Sequence, residues 1–367
     1  MERVVGATGS ANGNGCRTPS PSPSTRRSGG PAACAIAEAV RTLRGVGGVA
    51  LCAGGRNVDR AVKVVAGGFV ATEAARWFGG ALWFVDQQLA TVQRLTEGGV
   101  ERLGGFARPM SIGFRPSGEM LVADLGTSGM TPGDATDRRS PPTIHVFRDG
   151  TKVDAIDLSA FAGVNDMTVD RQGRAYVDVF SASSGDGGSL GNEVVGQVLL
   201  IPPDGEPRVV AEDIVAANGI GISPDGRTLV VGETWGPDGR FASTRLFRFD
   251  VEPDGSLTNR RVEVTVEDGC CDGLCFDAEG AIWLSTASGG EVLRLVHGQV
   301  VDRIRLPDGR WPLACALGGV DLRTLYICSV EPPPRADPAV SRNGWDLTGF
   351  RRGFIEAVEV DVPGPAT

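Results

Sequence analysis

The sequence of 367 residues is poor in histidine, aromatic side chains and positive charge. It contains two histidines, His145 and His297, and 36 Lys and Arg against 45 Asp and Glu. The formal charge of −9 argues against nucleic-acid binding, which would need clustered basic side chains. No apolar run approaches the roughly 20 residues that cross a bilayer. We therefore expect neither nucleic acid nor membrane as a partner, and we favour a small-molecule ligand.

Glycine and proline are abundant, and their number indicates the fold class. The 53 glycines and 23 prolines, with 41% apolar and 6% aromatic residues, are typical of short strands joined by turns. The eight cysteines do not form a disulfide framework, because most lie in strand-like segments where a free cysteine is a small buried apolar residue. These features predict an all-β protein of the reducing cytoplasm, with no obligate protein partner evident.

The first 60 residues differ in composition from the rest. Segments such as GATGSANGNG and RTPSPSPSTRRSGG are small and polar, and they cannot bury enough apolar area to offset chain entropy. We predict that residues 1–60 are a disordered extension, either dispensable or the product of a start codon placed too far upstream. A secretion signal is disfavoured because Glu38 interrupts the apolar stretch AACAIAEAV. Residues 61–362 are predicted to form one domain, followed by a tail at 363–367.

One hairpin pattern occurs six times after the extension. Each copy has an apolar strand, a polar turn and a second strand that opens on an aromatic or aliphatic residue. A repeat of roughly 40 to 55 residues with several strands per copy is typical of a β-propeller blade, so six copies predict six blades. The strand-like segments 62–69 and 354–362 are expected to pair and close the ring. The copies are ARWFGGALW (75–83), GFRPSGEMLV (113–122), TVDRQGRAYV (168–177), GISPDGRTLV (221–230), CFDAEGAIWL (275–284) and LGGVDLRTLYI (317–327).

Four blades carry an oxygen-bearing side chain at one register. We take as anchor the aromatic or aliphatic residue near the start of the second strand: Trp83, Tyr176, Leu229 and Trp283 in these blades. Counting 11 residues back from the anchor, or 10 in the shorter first copy, gives Glu73, Asn165, Asn218 and Asp272. The same count gives Met110 from Leu121 and Cys315 from Tyr326 in the other two blades, which offer no hard oxygen ligand. Taken singly, each of the four could be a turn residue or a solvated strand end.

Equivalent positions of a propeller surround its axis, which turns this register into a prediction of a metal site. Two carboxylates in one channel would repel each other and raise each other's pKa. A divalent cation would neutralise both carboxylates, and amide oxygens would complete the coordination shell. Ca²⁺ is favoured, with Mg²⁺, Mn²⁺ or Zn²⁺ as alternatives. Strand alternation is expected to turn Asp166, one residue past the register, away from the axis.

These segments resemble the SMP-30/gluconolactonase (regucalcin-like) family of six-bladed, calcium-dependent lactonases. The similarity covers roughly residues 62–362 and includes EAARWFGGALWFVD, VNDMTVDRQGRAYV, ANGIGISPDGRTLVVGET and DGLCFDAEGAIW. It implies that Glu73, Asn218 and Asp272 hold the metal and that Asn165 lies at its edge, where it holds substrate or a metal-bound water. Two features depart from the family: Gly163 stands where sugar-lactone members often have Arg, and Ala74-Ala75 replaces the usual Pro.

The expected function is metal-dependent opening of a lactone ring. In this hypothesis the metal polarises the lactone carbonyl and activates water, Asp272 accepts the proton and Asn165 contacts the substrate. Neither histidine lies on the register, which disfavours a Ser-His-Asp triad or a histidine dyad. The alternatives are a phosphotriesterase-like hydrolase on the same scaffold, or a non-catalytic calcium-binding propeller.

The extension is expected to be dispensable. A variant that begins near Ala61 should keep the melting temperature and the metal affinity of the full chain, because residues 1–60 lack a core-forming pattern. Thermal denaturation and calorimetric titration of both proteins would test this. A truncated protein that does not fold, or that loses metal affinity, would show that the domain boundary is wrong.

Overall fold

The structure, a computed structural model, describes residues 60–127, 140–181, 195–234, 243–267, 269–332, 350 and 352–366. Regular structure in these ranges consists of β-strands and one 3₁₀ turn, Pro307–Gly309, which confirms the all-β prediction. Except for Arg60, the predicted extension lies outside the described residues. No helix in the described ranges is long and apolar enough to cross a membrane.

The strands form six four-stranded antiparallel sheets, each a blade of the predicted propeller. Within a blade the strands follow one another in chain order, from the innermost to the outermost, except for the last strand of the sixth. The first three blades comprise β2 (Thr72–Phe78), β3 (Ala81–Asp86), β4 (Thr91–Thr96) and β5 (Gly99–Leu103); β6 (Pro109–Phe114), β7 (Met120–Asp124), β8 (Thr143–Arg148) and β9 (Thr151–Asp157); and β10 (Gly163–Val169), β11 (Ala175–Phe180), β12 (Val195–Ile201) and β13 (Arg208–Val215).

The remaining blades repeat this plan. They comprise β14 (Ala217–Ile222), β15 (Thr228–Glu233), β16 (Thr244–Val251) and β17 (Leu257–Val266); β18 (Cys271–Phe276), β19 (Ile282–Thr286), β20 (Glu291–Val296) and β21 (Gln299–Arg305); and β22 (Trp311–Gly318), β23 (Thr324–Val330), β24 (Gly353–Glu359) and β1 (Lys63–Phe69).

The sixth blade closes the ring by combining strands from both ends of the domain. Its order is β22-β23-β24-β1, and β1 pairs antiparallel with β24 from Lys63 opposite Ala357 to Phe69 opposite Gly353. This confirms the expected pairing of the terminal strands, which covers the edge that an open ring would expose. Arg60, just before β1, forms ion pairs with Asp302 and Asp361. A variant that begins at Arg60 is therefore the matched control for truncation at Ala61.

The apolar core lies between neighbouring blades. The second strand of each blade is buried on both faces, as in β7 and β19, where every residue is buried. Trp283 on β19 is 1% exposed and packs with Leu317 and Ile327 of the sixth blade. Because burying such a side chain contributes roughly 1.5–3 kcal/mol, the anchors chosen from the sequence hold adjacent blades together.

Every innermost strand is interrupted by a β-bulge at the same level. In all six blades the register between the innermost and the second strand shifts by one residue. The shift comes directly after the first or the second pair of facing residues in the two strands. A bulge inserts an extra residue and locally breaks the alternation of side chains. The inner pairs that mark this level are Thr72–Asp86, Pro109–Asp124, Val164–Val179, Ala217–Glu233, Cys271–Thr286 and Trp311–Val330.

Candidate metal centre

The four residues chosen by register occupy equivalent positions at these bulges. Each directly follows the inner-strand residue of the pair that marks the level in its blade. Asp272 and Asn218 are 2% and 9% exposed, whereas Glu73 and Asn165 are half-buried. The four side chains therefore lie at one level of the inner strands, in blades one, three, four and five. We call this level, which includes Met110 in blade two, the ring level.

The register of the sixth blade was assigned wrongly from the sequence. Ile327, opposite Cys315, occupies the place that Trp283 has opposite Cys275, so the anchor is Ile327 and not Tyr326. The residue at the level of Asp272 is then Pro312, not Cys315. The cause is a longer stretch between the bulge and the second strand. Pro312 is buried and has no side-chain oxygen, so the sixth blade still provides no ligand.

Carboxylates at the ends of three second strands fix the chain that leads into the ring level. Asp86 accepts hydrogen bonds from the backbone N–H groups of Val70 and Ala71, just before Glu73. Asp124 does the same for residues 107 and 108, before Met110, and Glu233 accepts from Val215, before Asn218. A carboxylate that accepts hydrogen bonds from buried N–H groups fixes their geometry. These contacts therefore orient the start of the inner strand in blades one, two and four.

The glycines that follow Asn218 and Asp272 lie where two blades approach closely. A Cβ atom on Gly219, whose φ is 68°, would lie 1.9 Å from the carbonyl oxygen of Asp272. A Cβ atom on Gly273 would lie 2.7 Å from the Ala314 Cβ of the sixth blade. Asn-Gly and Asp-Gly are common in turns, but here both pairs lie inside strands, and glycine is required by backbone contact between blades.

Glu73 and Asp272 are two acidic groups that disfavour each other's ionisation. Burial and, to a smaller extent, the charge of Asp166 raise the pKa of the half-buried Glu73 to about 8. Burial also raises the pKa of Asp272 well above its usual range, and the nearby charge of Glu73 adds to this effect. The two carboxyl groups therefore lie close enough to interact across the ring.

The donor set fits a hard divalent cation. Within the described part of the chain, Asp272 Oδ2 is buried and has no hydrogen-bond partner, although Oδ1 accepts the Gly273 N–H at 3.0 Å. Asn218 lies near enough to lower the pKa of Asp272. The described residues contain no group of three or more His, Cys, Asp or Glu arranged to hold a metal. A cation here would therefore have two carboxylate ligands and depend on amide oxygens for the rest.

Asp178 holds the backbone of the third blade's bulge. Its Oδ1 accepts the N–H of Asp166 at 2.7 Å, and its carboxylate also receives the N–H of Asn165. It is fully buried, and burial together with the Asp166 charge raises its pKa well above the usual range. Asp178 thus fixes the backbone from which the half-buried side chain of Asn165 extends at the ring level.

The prediction that Asp166 turns away from the axis is wrong. Its Oδ1 receives hydrogen bonds from Arg76 Nη2 of blade one at 2.7 Å and from Ser111 Oγ of blade two at 2.6 Å. Its Oδ2 lies 3.4 Å from the Ile220 N–H of blade four. One side chain can meet three other blades only beside the central channel. The bulge is the physical reason, because it places both Asn165 and Asp166 opposite Asp178.

Arg76, Ser111 and Asp178 were not identified from the sequence. Arg76 and Asp178 are charged residues inside otherwise apolar inner hairpins, and this was the available signal. The histidines lie where expected: His145 is on β8, 3.2 Å from Asp124, and His297 is in the turn after β20. All five cysteines in the described ranges are free, and four of them are buried.

The fold and this axial level define a six-bladed β-propeller with acidic and amide side chains at its centre. The chain belongs to the SMP-30/gluconolactonase/LRE-like family, whose model matches residues 71–331. This confirms the family resemblance identified from the hairpin motifs.

Individual relatives match over part of their length. A 6-deoxy-6-sulfogluconolactonase from Pseudomonas putida is 35% identical over 175 residues, which cover 47% of this chain and 55% of that protein. Regucalcin from Danio rerio is 29% identical over 203 residues, covering 50% of this chain and 64% of that protein. The structure of a calcium-binding regucalcin from Agrobacterium tumefaciens has a TM-score of 0.58 at 19% identity, covering 84% of this chain and 98% of that one. The last likeness concerns the fold alone.

Gly219→Ala should destabilise the protein far more than Gly226→Ala. Both glycines have φ near 70°, but a Cβ at Gly226 would meet nothing within 4 Å, whereas one at Gly219 would overlap the Asp272 carbonyl. The control should lose about 1 kcal/mol from backbone strain and Gly219→Ala several times that, about 3 kcal/mol or more. Urea denaturation measures both. Equal losses would show that the two blades do not meet at Asp272.

Proposed function

We propose that this protein is a metal-dependent lactonase, with its active site at the ring level. The observation that carries the proposal is the interaction of two acidic side chains, the half-buried Glu73 and the buried Asp272, whose Oδ2 has no hydrogen-bond partner among the described residues. Two interacting carboxyl groups with raised pKa values are costly to keep ionised, and a divalent cation would relieve that cost. The family membership and the sulfogluconolactonase relative supply the lactone as substrate class.

Within this proposal, Glu73, Asn218 and Asp272 hold the cation and Asn165 binds the substrate at its edge. A bound divalent cation supplies Lewis-acid polarisation of a carbonyl oxygen and lowers the pKa of water. Ca²⁺ is the first choice, because the donor set consists of oxygens and a structurally similar regucalcin is a calcium-binding protein. Mg²⁺, Mn²⁺ and Zn²⁺ are the alternatives.

The chain's own side chains account for positioning and proton transfer. Asp178 clamps the bulge that presents Asn165, so the amide is held in place before a substrate binds. Asp272 accepts the proton of the attacking water in this proposal. A carboxylate that also holds a cation is a weak base, so its main contribution is to orient the water.

The third blade offers little room for a long side chain ahead of Asn165. A Cβ atom on Gly163 would lie 3.0 Å from both Leu125 Cδ1 and Phe180 Cδ2. An arginine, which sugar-lactone relatives often have here, would require these neighbours to move. We therefore propose a lactone substrate that is recognised without a guanidinium at this position, rather than an aldonolactone by default.

Asp272→Asn should weaken Ca²⁺ binding and abolish lactone hydrolysis without unfolding the protein. The change removes one of two ligand charges and leaves the side-chain shape unchanged. The control is Asp225→Asn, which removes one charge from an exposed turn in blade four. Calorimetric titration with Ca²⁺ and Mn²⁺, and assays on a panel of lactones, would measure both effects. Wild-type affinity in Asp272→Asn would contradict the assignment of ligands.

The same assays separate the proposal from its two rivals. Purified wild-type protein is tested on lactones and on phosphotriesters, with and without EDTA. Lactone turnover that EDTA abolishes is the expected result. Turnover of phosphotriesters alone would favour the alternative of a phosphotriesterase-like hydrolase. A melting temperature that depends on the metal, with no turnover of either class, would show a calcium-binding propeller without catalysis.

Metal affinity should rise with pH up to about 8. Because the pKa of Glu73 is raised to about 8, this carboxyl group is largely protonated at neutral pH and must lose its proton to bind a cation. Each displaced proton increases the apparent affinity about tenfold per pH unit below that pKa. Calorimetry in two buffers with different ionisation enthalpies counts the protons released. Binding without proton release at neutral pH would show that Glu73 is already ionised.

A further inference from the structure

A third acidic side chain, Asp166, lies beside the ring level but already has an ion-pair partner. Asp166 follows Asn165 directly, and its charge raises the pKa of both Glu73 and Asp272. Three carboxyl groups therefore interact at the axis, where the proposed centre uses two. A third free carboxylate beside the cation would give the centre more negative charge than a divalent cation neutralises. Something must therefore divide the three groups into ligands and non-ligands.

Arg76 has the geometry to make this division. Its Nη2 donates to Asp166 Oδ1 at 2.7 Å and to the Met167 carbonyl, while Nη1 donates to the Ala75 carbonyl at 2.8 Å. Ser111 Oγ binds the same Oδ1, and the Met167 N–H lies 2.8 Å from it. The guanidinium is thus fixed at three oxygen atoms, and its ion pair is mostly buried, with 19% and 9% of the two side chains exposed.

We propose that Arg76 is a positioning residue that keeps Asp166 out of the cation's coordination shell and fixes the centre at two carboxylates. The inference rests on the proposed metal centre and deepens it. Arg76 neutralises Asp166 through their ion pair, so Glu73 and Asp272 alone provide charge to the cation. The two ligand charges then match the charge of the cation, and the charge of Asp166 is balanced by Arg76.

This charge balance predicts opposite signs for two substitutions. Arg76→Met frees the Asp166 carboxylate near the cation, so Ca²⁺ binding should tighten by about tenfold. Asp166→Asn leaves the guanidinium unpaired near the cation, so binding should weaken several-fold, up to about tenfold. The double variant Arg76→Met with Asp166→Asn should return to within about threefold of wild type. Arg76→Lys keeps the charge and should bind Ca²⁺ like wild type.

Arg174→Met is the matched control for breaking a buried pair. Arg174 binds Asp170 at 2.6 Å with 12% and 1% of the side chains exposed, in the third blade's hairpin turn rather than at the axis. It should lower the melting temperature measured in EDTA, as Arg76→Met does, but leave Ca²⁺ affinity unchanged. A merely structural role of Arg76 would make the two variants alike.

The experiment is calorimetric titration of Ca²⁺ into all six proteins, with thermal denaturation in EDTA. Wild-type protein that binds none of Ca²⁺, Mg²⁺ and Mn²⁺ would overturn the metal centre and this inference together. Wild-type binding with unchanged or weaker affinity in Arg76→Met would overturn this inference alone. If Arg76→Met does not fold, Asp166→Asn decides, because equal or tighter binding in that variant would contradict the proposal.

Discussion

The extra residue in each inner strand is the constraint on which the rest of the site depends. Without it, successive side chains would alternate between the channel and the interior of the blade. With it, Asn165 and Asp166 both lie opposite Asp178, and Asp166 reaches three other blades. Because the bulge recurs at one level in all six blades, the backbone defines a ring and each blade selects its own side chain. Met110 and Pro312 show that some blades leave this position apolar.

The ring level is fixed by contacts on the residues before it and after it along the inner strand. Before it, carboxylates on the second strands fix backbone N–H groups, as Asp86 does for residues 70 and 71. After it, Gly219 brings the backbone of one blade against the Asp272 carbonyl of the next. Contacts of this kind leave the chain little freedom, so a ligand set built on them is fixed before any cation binds. The two ring residues followed by glycine are also the two most buried of the four.

Much of this arrangement could be predicted from the sequence, because a repeated hairpin carries its own register. The six blades, the closing pair of β1 and β24, and the common level of Glu73, Asn165, Asn218 and Asp272 all follow from counting within that repeat. The count was wrong in the sixth blade, where the stretch between the bulge and Ile327 is longer. In the fourth, Val230 rather than Leu229 stands opposite the equivalent inner residue, yet Asn218 keeps its level.

What could not be predicted depends on the bulge, which has no sequence signature of its own. Alternation assigns Asp166 to the wrong side, because the rule assumes a regular strand. The partner of Asp166, Arg76, lies 90 residues earlier, in a blade that is not its neighbour. A pairing of that kind appears only when the ring has closed. Charged residues inside apolar hairpins were visible in the sequence, but they could not be matched without the three-dimensional order of the blades.

The charges near the axis explain why this centre would need an arginine. Four carboxyl groups lie near the axis: the charge of Asp166 raises the pKa values of Glu73, Asp178 and Asp272, and the charge of Glu73 also raises that of Asp272. Buried groups of like charge become neutral or acquire a partner, and the four do so in different ways. Burial raises the pKa of Asp178, Asp166 forms an ion pair with Arg76, and Glu73 and Asp272 remain the pair without an ion-pair partner among the described side chains. A divalent cation matches that remainder in charge, and the neighbouring amides supply oxygens of the kind that it binds.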